Sequence, residues 1–536
     1  MLWGADSVST TAFVIPSVTR NLAPGPRGSK REVNQGEAER KLSARFLASL
    51  GMTGEYGRQN TMDKIVVDRI RFGTDGWRGV IAQDFTFANV QRVAEAIAQY
   101  VHEEGDPAKG LVVGYDTRFL SAEFAKHASE VLAASGIAVT LADSATPTPA
   151  VSYAVVARQT AGAIILTASH NPYRWNGVKF KAPYGGSAAP SIMRRIEVHL
   201  RRLDRSRTHP RKRRPASIQT VDLVGPYLER LRSFVHLDRI RASGRRFVID
   251  PMYGAARGCL ARLFDEAGIS YREIHAEHNP LFPGMNPEPI EPHVEPLRQA
   301  VLEGGYDAGF ATDGDADRLG AVDRDGTFID SHKIFSILLR HLVEDLGLRG
   351  EVVKTFSTTE MVTKLARKYG LPLHVTPIGF KYICELMLTR DVLIGGEESG
   401  GIGIKGHLPE RDGILNSLLL AEVMADRGRT LGELVHELTQ EFGPHFYGRV
   451  DLEIDKDVAQ RIVRLVGQKK IKRIAGLKVT SIDGLDGAKM RFGNSAWLLV
   501  RASGTENVLR LYAEVPSPEQ VRALLVEMEA FSRKQL

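Results

Sequence analysis

The sequence predicts an α/β protein: three related α/β domains with mixed sheets, followed by a smaller C-terminal α+β domain. Three observations support this fold class. From about residue 65, short apolar segments of strand length alternate with amphipathic helical segments. The alternation occurs in three successive units, as in layered α/β folds. From about residue 441 the pattern changes, because several strand-like segments lie close together between two helical ones.

The individual elements follow from this patterning. Strand segments are short and rich in Val, Ile and Leu, whereas helical segments repeat apolar residues every three or four positions. In the α/β units, the predicted strands are Leu111–Val113, Ala163–Leu166, Arg246–Ile249 and Glu351–Val353, and the predicted helices are Ala122–Ala134, Pro149–Arg158, Gly254–Ala267 and Glu360–Tyr369. In the C-terminal unit, the predictions are a strand at Arg449–Ile454, a helix at Val458–Val466, paired strands at Leu477–Ile482 and Ala496–Arg501, a strand at Val508–Glu514 and a closing helix.

The chain has 536 residues, more than the roughly 250 to 300 that one hydrophobic core supports. Its first 61 residues mix Gly, Pro, Ser, Arg and Glu without sustained periodicity, which indicates a disordered N-terminal tail. Two interpretations of this tail stay open. The natural protein starts at Met62 and does not include the tail, or the tail is an organellar transit peptide, against which its acidic residues argue. The predicted boundaries are 1–61 for the tail and 62–214, 215–324, 325–440 and 441–536 for the domains.

The composition is that of an ordinary globular protein, with 43% hydrophobic and 25% charged residues. No apolar run approaches the roughly 18 residues that span a bilayer, so no membrane partner is expected. The two cysteines, Cys259 and Cys384, lie far apart in the sequence, which excludes a disulfide framework and favours a reducing compartment. We therefore predict a cytoplasmic protein, either a monomer or a homodimer.

One basic run, Arg201–Arg214, accounts for the whole net charge of +7, since eight arginines and lysines accompany the single acid Asp204. Basic runs can bind polyanions. This run has no interleaved aromatic residues and contains a proline, so a solvated linker is the preferred interpretation and nucleic acid is not an expected partner. A polyanion-binding protein centred on this run is the non-enzymatic alternative.

The first of four candidate loops is Thr167–Pro172, which follows the apolar strand Ala163–Leu166. Because Pro172 ends regular structure, Ser169 is expected on an exposed strand-to-loop turn with His170 beside it. Taken alone, both residues also fit an ordinary turn.

The second loop carries three carboxylates, Asp313, Asp315 and Asp317, separated by small residues. Carboxylates at alternate positions can converge on one hard cation with oxygen ligands, and without counter-charges they would repel one another. An EF-hand is excluded, because Arg318 stands where that loop needs glycine and Arg324 where it needs glutamate. A metal site is therefore predicted.

Two further loops combine glycine with polar side chains. In Gly395–Gly401, four glycines let the backbone approach a ligand, while Glu397 and Ser399 offer groups that bind hydroxyls. In Arg501–Asn507, followed by Arg510, a guanidinium, two hydroxyls and a glycine provide the groups that hold a phosphate dianion. Each of these loops, taken alone, also fits a surface turn.

Together, in this order and at these intervals, the four loops resemble the signature loops of the α-D-phosphohexomutase family. The resemblance covers about residue 65 to the C-terminus and includes Phe72–Gly79, Asn176–Phe180 and Gly379–Tyr382. It implies four domains around one central cleft, with one signature loop from each. It also implies an intramolecular phosphotransferase of the isomerase class that uses Mg²⁺. For Gly379–Tyr382, a core strand edge is the alternative interpretation.

The resemblance assigns a role to each site residue. Ser169 is implied to be the phosphorylated serine. The implied metal ligands are Ser169, Asp313, Asp315 and Asp317, and the other residues implied at the reacting centre are Arg78, His170, Lys179 and Arg318. The residues implied to bind substrate are Glu397 and Ser399 at the sugar hydroxyls, Lys381 at the substrate phosphate, and Arg501, Ser503, Gly504, Thr505 and Arg510 at the non-reacting phosphate.

The implied reaction moves a phosphoryl group between O1 and O6 of a hexose through a phosphoserine and a 1,6-bisphosphate. A sugar phosphate is therefore the expected small-molecule partner, and glucose 1,6-bisphosphate the expected primer. Lys179 is the preferred base for the attacking hydroxyl, with His170 as the alternative.

Glu398 indicates the sugar, because an acidic residue at this position is typical of glucose-type family members. Glucose 1-phosphate and glucose 6-phosphate are therefore the expected substrates. Gly400–Gly401 departs from the best-known glucose enzymes, which leaves mannose and glucosamine phosphates open. A serine-dependent phosphatase that uses the same nucleophile and metal is the alternative enzyme class.

Overall fold

The structure is a computed structural model, and it describes residues 70–73, 76–206, 213–468, 471–493, 495–504 and 507–536. The predicted tail at 1–61, Thr505 and the middle of the basic run therefore lie outside the described residues. Four main sheets follow one another along the described chain, the first three of them flanked by helices. Both the α/β class of the first three units and the separate C-terminal architecture predicted from the sequence are confirmed.

The first sheet has six strands in the order β1-β5-β4-β2-β3-β6 and is mixed, because β1 and β4 pair antiparallel with β5 while the other pairs are parallel. All four residues of β4 are buried, so the loop after it starts from the centre of the sheet. The last strand of this sheet, β6, follows residue 214, the predicted end of the first domain. The elements are β1 (Trp77–Val80), α1 (Phe87–Glu104), β2 (Leu111–Tyr115), α2 (Ser121–Ala134), β3 (Val139–Ala142), α3 (Thr148–Arg158), β4 (Ala163–Leu166), β5 (Trp175–Lys181), α4 (Pro190–Ser206) and β6 (Ile218–Val221).

The second sheet has the order β11-β10-β9-β7-β8, and its antiparallel β9–β10 pair is joined by the three-carboxylate loop. The helix predicted from Gly254 begins only at Cys259, because Gly258 immediately before it has a left-handed backbone conformation, with φ of 73°. The elements are α5 (Val224–Arg232), α6 (Leu237–Ala242), β7 (Arg246–Asp250), α7 (Cys259–Ala267), β8 (Ser270–Glu273), α8 (Glu295–Gly304), β9 (Ala308–Thr312), β10 (Leu319–Asp323) and β11 (Phe328–Ile329).

The third sheet has the order β13-β12-β14-β15, and the loop with Glu397 and Ser399 joins its antiparallel β14–β15 pair. Lys381 lies in the first turn of a helix, so the alternative of a core strand edge is wrong. The elements are α9 (Ser331–Glu344), β12 (Glu351–Thr355), α10 (Glu360–Lys368), β13 (Leu373–Thr376), α11 (Phe380–Thr389), β14 (Val392–Gly396), β15 (Ile402–Ile404), α12 (Gly413–Arg427) and α13 (Leu431–Phe442).

The C-terminal sheet is antiparallel, with the order β16-β22-β21-β20-β19. The predicted pairing of 477–482 with 496–501 is wrong, because β20 lies between them in the sheet. The sequence of β20, Ala-Lys-Met-Arg, lacks the β-branched residues that mark a strand, so this strand was not predicted. The elements are β16 (Phe446–Glu453), α14 (Lys456–Gly467), β17 (Arg473–Ile474), β18 (Leu477–Lys478), β19 (Ser481–Asp483), β20 (Ala488–Arg491), β21 (Trp497–Ala502), β22 (Val508–Val515) and α15 (Pro518–Arg533).

The basic run differs from the predicted linker at its N-terminal end, because α4 continues to Ser206. In this helix, Arg201 pairs with Glu197 at 3.7 Å and Arg202 with Glu103 at 3.4 Å. These ion pairs give the arginines partners that composition alone does not reveal. Within the described part of the chain, no helix has the length and apolar character needed to cross a bilayer.

Candidate active site

Four connections of the described fold carry the predicted site residues. The serine loop, defined here as Thr167–Pro172, follows the central strand β4, and the acid loop, Asp313–Arg318, joins β9 to β10. The sugar loop, Glu397–Gly401, joins β14 to β15. The fourth loop lies between β21 and β22, and Ser503 and Gly504 are its described residues before the gap.

Ser169 lies at the junction of the serine loop and the acid loop. Its hydroxyl donates a hydrogen bond of 2.7 Å to Asp313 Oδ2, and His170 Nδ1 is 3.4 Å from the Ser169 hydroxyl oxygen. Its φ of 53° places it in the left-handed region. The expected exposed turn is wrong: Ser169 is only 1% exposed, because the acid loop covers it. A Cβ on Gly314 would lie 2.5 Å from the Ser169 carbonyl oxygen, so glycine is required at this contact.

The three carboxylates of the acid loop are completely buried and converge. Asp313, Asp315 and Asp317 each offer an oxygen within 4.8 Å of the others. Among the residues that the structure describes, neither Asp315 Oδ1 nor Asp317 Oδ1 accepts a hydrogen bond. Buried carboxylate oxygens without donors carry a large desolvation cost, which a cation between them would offset. The residues present therefore fit a divalent cation with oxygen ligands.

Positive side chains also surround these carboxylates and supply counter-charge in addition to that of the adjacent Arg318. Lys179 Nζ donates to Asp315 Oδ2 at 2.8 Å and to Asp317 Oδ2 at 3.0 Å. Arg411 Nη2 donates to Asp317 Oδ2 at 2.6 Å, whereas Arg318 Nε is 3.7 Å from Asp313 Oδ2. Lys179 and Arg411 come from segments distant in sequence from the acid loop, so local patterns do not reveal them as its counter-charges.

The pKa values of Asp313 and Asp315 shift in opposite directions. Burial, reinforced by Asp317 and Asp315, raises the pKa of Asp313 well above its ordinary value. Burial also acts on Asp315, but the ammonium of Lys179 outweighs it and lowers the pKa of Asp315. Asp315 therefore holds its negative charge more firmly than Asp313 does, and an added cation would favour the charged form of Asp313.

Arg118 supports the serine loop and was not singled out from the sequence. It is fully buried, and its Nη2 donates 2.6 Å hydrogen bonds to the carbonyls of Ser169 and Asn171. Its Nη1 donates to two more carbonyls of the same segment, each at 3.0 Å. Asp116 pairs with Arg118 Nε at 3.1 Å. Three polar residues immediately after the buried strand β2, Asp116, Thr117 and Arg118, were the sequence signal that could have revealed this pair.

Arginines surround the serine loop. Arg78 Nη1 donates to the Asn171 side chain at 2.5 Å. Burial, followed by the charges of Arg318, Arg78, Arg449 and Arg510, lowers the pKa of His170 well below its ordinary value. The imidazole is therefore neutral at pH 7, and the cations around it come from three different units of the fold.

The sugar loop presents one buried and one half-buried glutamate. Burial raises the pKa of Glu397 to about 7, although Arg411, whose Nη1 is 3.5 Å from Glu397 Oε2, opposes the shift. Glu398 accepts a 2.6 Å hydrogen bond from the Ser357 hydroxyl. Ser399 is half-buried beside them. The loop thus places carboxylates and a hydroxyl close together, as binding of sugar hydroxyls requires.

An arginine pair lies at the base of the fourth loop. Arg501 and Arg510 are directly opposite each other in the β21–β22 register. Arg501 Nε donates to Asp486 at 3.1 Å, and Arg510 Nε is 3.4 Å from Asp451. Arg449, not identified from the sequence, also binds Asp451, with its Nε at 2.7 Å.

The remaining predicted substrate-binding residues differ in exposure. Ser503 is buried, and Gly504 is exposed with its carbonyl accepting a 2.8 Å hydrogen bond from Lys456. Lys381 is half-buried in α11, with its Nζ 5.3 Å from the centre of the Tyr382 ring. The positions of Ser503, Gly504 and Lys381 do not test whether these residues bind substrate, so their roles stay predictions.

The site combines a buried serine hydroxyl, three carboxylates that fit a divalent cation, and arginines on a separate sheet. This combination is typical of proteins that transfer phosphoryl groups. Comparison with known families gives the same class. Models described as phosphoglucomutase/phosphomannomutase domains match in four segments: α/β/α domain I at 69–207, domain II at 225–326, domain III at 330–442 and the C-terminal domain at 462–531.

Individual relatives cover most of the chain. A phosphoglucomutase/phosphomannomutase from Thermococcus kodakarensis is 30% identical over 85% of this chain and 96% of its own length. A phosphoglucosamine mutase from Frankia casuarinae is 31% identical over 87% and 98%. A solved structure described as a phosphomannomutase from Thermus thermophilus has a TM-score of 0.76 and 39% identity, over 87% of this chain and 99% of that one. The chain belongs to the α-D-phosphohexomutase family, whose members are isomerase-type phosphosugar mutases.

Proposed function

We propose that this protein interconverts glucose 1-phosphate and glucose 6-phosphate through phosphorylated Ser169 and a glucose 1,6-bisphosphate intermediate. The observation that carries the proposal is the 2.7 Å hydrogen bond from the Ser169 hydroxyl to Asp313 inside the carboxylate cluster. A nucleophile fixed at a cation site is the arrangement that phosphoryl transfer needs, because the reaction is catalysed mainly by positioning and charge stabilisation.

Ser169, Asp313, Asp315 and Asp317 are the proposed Mg²⁺ ligands. Mg²⁺ bound there would supply positive charge to the transferring phosphoryl group. Arg78 and the other arginines around the serine loop would stabilise the remaining charge on its oxygens. The left-handed turn at Ser169, held by Arg118, keeps the Oγ atom directed at this point.

In the transfer step, the sugar hydroxyl oxygen bonds to phosphorus, the bond from phosphorus to Ser169 Oγ breaks, and the hydroxyl proton moves to a base. We propose Lys179, whose Nζ lies at the carboxylates where the hydroxyl must arrive, as that base; it acts in its neutral form, because the ammonium that donates to Asp315 and Asp317 has no lone pair to accept a proton. His170 is the alternative, because its lowered pKa leaves a neutral imidazole at pH 7. The bisphosphate then reorients, so the opposite end of the site must hold either of its phosphates.

Arg501, Arg510, Ser503, Gly504 and Thr505 are proposed to bind the phosphate that is not reacting. Two guanidinium groups opposite each other on neighbouring strands suit a dianion, which accepts several charge-assisted hydrogen bonds. A phosphatase would need no such second phosphate site. The mutase is therefore favoured over the serine-dependent phosphatase.

Glucose is proposed as the preferred sugar because the sugar loop carries an acidic residue, Glu398, whose carboxylate accepts a hydrogen bond from the Ser357 hydroxyl and is oriented by it. The relatives carry names for glucose, mannose and glucosamine phosphates, so a dual glucose and mannose enzyme or a phosphoglucosamine mutase is the second candidate. A comparison of kcat/KM on the three 1-phosphates measures this preference. A higher value for glucosamine 1-phosphate than for glucose 1-phosphate would reverse it.

The function is tested by conversion of glucose 1-phosphate to glucose 6-phosphate with glucose 1,6-bisphosphate as primer. Ser169→Ala should lower kcat by about 10⁴-fold or more, because it removes the group that carries the phosphoryl. Ser144→Ala, which changes an exposed serine outside the four loops, is the matched control and should retain activity. Steady release of inorganic phosphate without glucose 6-phosphate would support the phosphatase instead.

A further inference from the structure

We propose that Arg411 is a positioning residue that joins the sugar loop to the acid loop, and that Gly401 is the glycine that leaves room for it. The inference rests on the proposed function. It gives a structural role to the second glycine of Gly400–Gly401, the position at which the sequence departs from the best-known glucose enzymes.

Arg411 connects two loops that belong to different sheets. Its Nη2 donates to Asp317 Oδ2 at 2.6 Å, and its Nη1 is 3.5 Å from Glu397 Oε2. The guanidinium also lies 5.5 Å from the centre of the Phe380 ring, and Arg411 is only 4% exposed. A planar, forked cation can hold two separated carboxylates in a fixed geometry through different nitrogens, whereas an ammonium offers a single nitrogen. Arg411 thus fixes the distance between a proposed metal ligand and a proposed sugar ligand.

Gly401 is in direct contact with the stem of this arginine. A Cβ on Gly401 would lie 2.2 Å from Arg411 Cδ and 2.8 Å from Arg411 Cγ. Both distances are far below carbon–carbon van der Waals contact. Gly401 does not have a positive φ, so an added methyl group would introduce this clash without backbone strain. A side chain at 401 and the observed position of Arg411 therefore exclude each other.

The backbone of Arg411 is held on both sides, which prevents it from moving away from a clash. Glu410 is buried and ion-paired with Lys181. The Tyr227 hydroxyl lies 2.8 Å from both carboxylate oxygens of Asp412 and donates its one proton to this carboxylate, and His407 Nε2 lies 2.8 Å from Asp412 Oδ2. A methyl group at 401 must therefore displace the arginine side chain itself, and with it the contacts to Asp317 and Glu397.

The consequence is a coupling between two residues that can be measured by a double-mutant cycle. Gly401→Ala should weaken sugar-phosphate binding because it moves Arg411, and Arg411→Ala should weaken it because the bridge is lost. When Arg411 is already alanine, the methyl group at 401 has nothing to displace. The double variant should therefore behave like Arg411→Ala alone, whereas two independent defects would add.

Binding is best measured in a Ser169→Ala background, where no phosphoryl transfer occurs, by titration calorimetry with glucose 1-phosphate and Mg²⁺. We expect Gly401→Ala and Arg411→Ala each to raise Kd about tenfold, the loss expected for a hydrogen bond to a charged group. The double variant should match Arg411→Ala within about twofold. Gly467→Ala is the matched control, because a Cβ there meets nothing within 4 Å, and it should leave Kd unchanged.

The outcomes separate the two proposals. Failure of the Ser169→Ala parent to bind any hexose phosphate would overturn the proposed function. The same cycle, measured as melting temperatures without ligand, then tests the contact of Gly401 with Arg411 by itself. A Gly401→Ala variant as tight and as stable as Gly467→Ala would overturn the inference, and so would additive effects in the double variant.

Discussion

The two ends of the site are built differently. At the end that we propose to react, Ser169 is 1% exposed, the acid-loop carboxylates are completely buried, and Lys179 is 2% exposed. At the opposite end, the side chains of Arg501 and Arg510 are 12% and 21% exposed, and their partners Asp486 and Asp451 are more exposed still. The reacting end is fixed by burial, whereas the other end consists of ion pairs that water can reach.

The difference matches the two tasks of a mutase. An ion pair that water reaches is worth less than a fully buried one, so a phosphate can replace an aspartate as the partner of an arginine at lower cost there. Unpairing a buried charge costs about 3–5 kcal/mol, so the reacting end does not exchange partners in this way. A site that holds the reacting phosphoryl rigidly, and accepts either phosphate of a bisphosphate at its other end, needs both kinds of construction.

The largest effect that we predict from this comparison concerns Arg118, which supports the reacting end without belonging to it. Arg118→Lys should lower kcat by about 10²-fold with little change in KM, because an ammonium cannot hold the carbonyl oxygens of the serine loop and Ser169 then shifts. Steady-state kinetics and mass-spectrometric measurement of phosphate on Ser169 after incubation with glucose 1,6-bisphosphate check this outcome.

Two controls make the Arg118 result specific. Arg92→Lys changes a partly exposed arginine paired with Asp204, and it should keep normal kinetics. Partial rescue of an Arg118→Ala variant by added guanidinium would show that the guanidinium group of Arg118 positions the serine loop. A rise in KM with unchanged kcat would contradict the role assigned to Arg118.

At the other end, Arg501→Ala should mainly affect binding. We expect KM for glucose 1-phosphate to rise about tenfold, because a charge-assisted contact to the non-reacting phosphate is lost while the nucleophile stays in place. Initial rates over a range of substrate concentrations measure this change. Arg473→Ala, in the short β17–β18 hairpin of the same unit, is the control and should have no effect. A loss confined to kcat would place Arg501 at the reacting end and remove the contrast between the two ends.

Local patterns were sufficient to predict the parts of this site that lie in single loops. Ser169 follows a four-residue buried strand, and the three carboxylates alternate with small residues, so both features are visible in a few consecutive positions. The α/β class followed similarly from the alternation of strands and helices. The roles of individual residues rest on the family resemblance and stay predictions.

Contacts between distant segments could not be predicted in this way. Arg118 reaches the serine loop 51 residues later in the chain, and Arg411 binds an aspartate 94 residues earlier. Thr148, which donates a 2.6 Å hydrogen bond to Asp315, comes from the start of α3. Each of these side chains looks like an ordinary surface residue in its own segment. Their partners become apparent only when the packing of the units is known.

The smallest predicted effect is the pH dependence of sugar binding through Glu397. Burial raises the pKa of this carboxyl from the ordinary 4.5 to about 7, so it is mostly neutral at pH 6 and mostly charged at pH 8. A charged carboxylate accepts stronger hydrogen bonds from sugar hydroxyls, so KM should be about fivefold higher at pH 6 than at pH 8. The substrate phosphate also titrates near pH 6, and Glu397→Gln separates the two contributions because it keeps only that of the phosphate. If the ratio of KM values at the two pH values is the same in wild type and Glu397→Gln, Glu397 does not bind the sugar as a carboxylate.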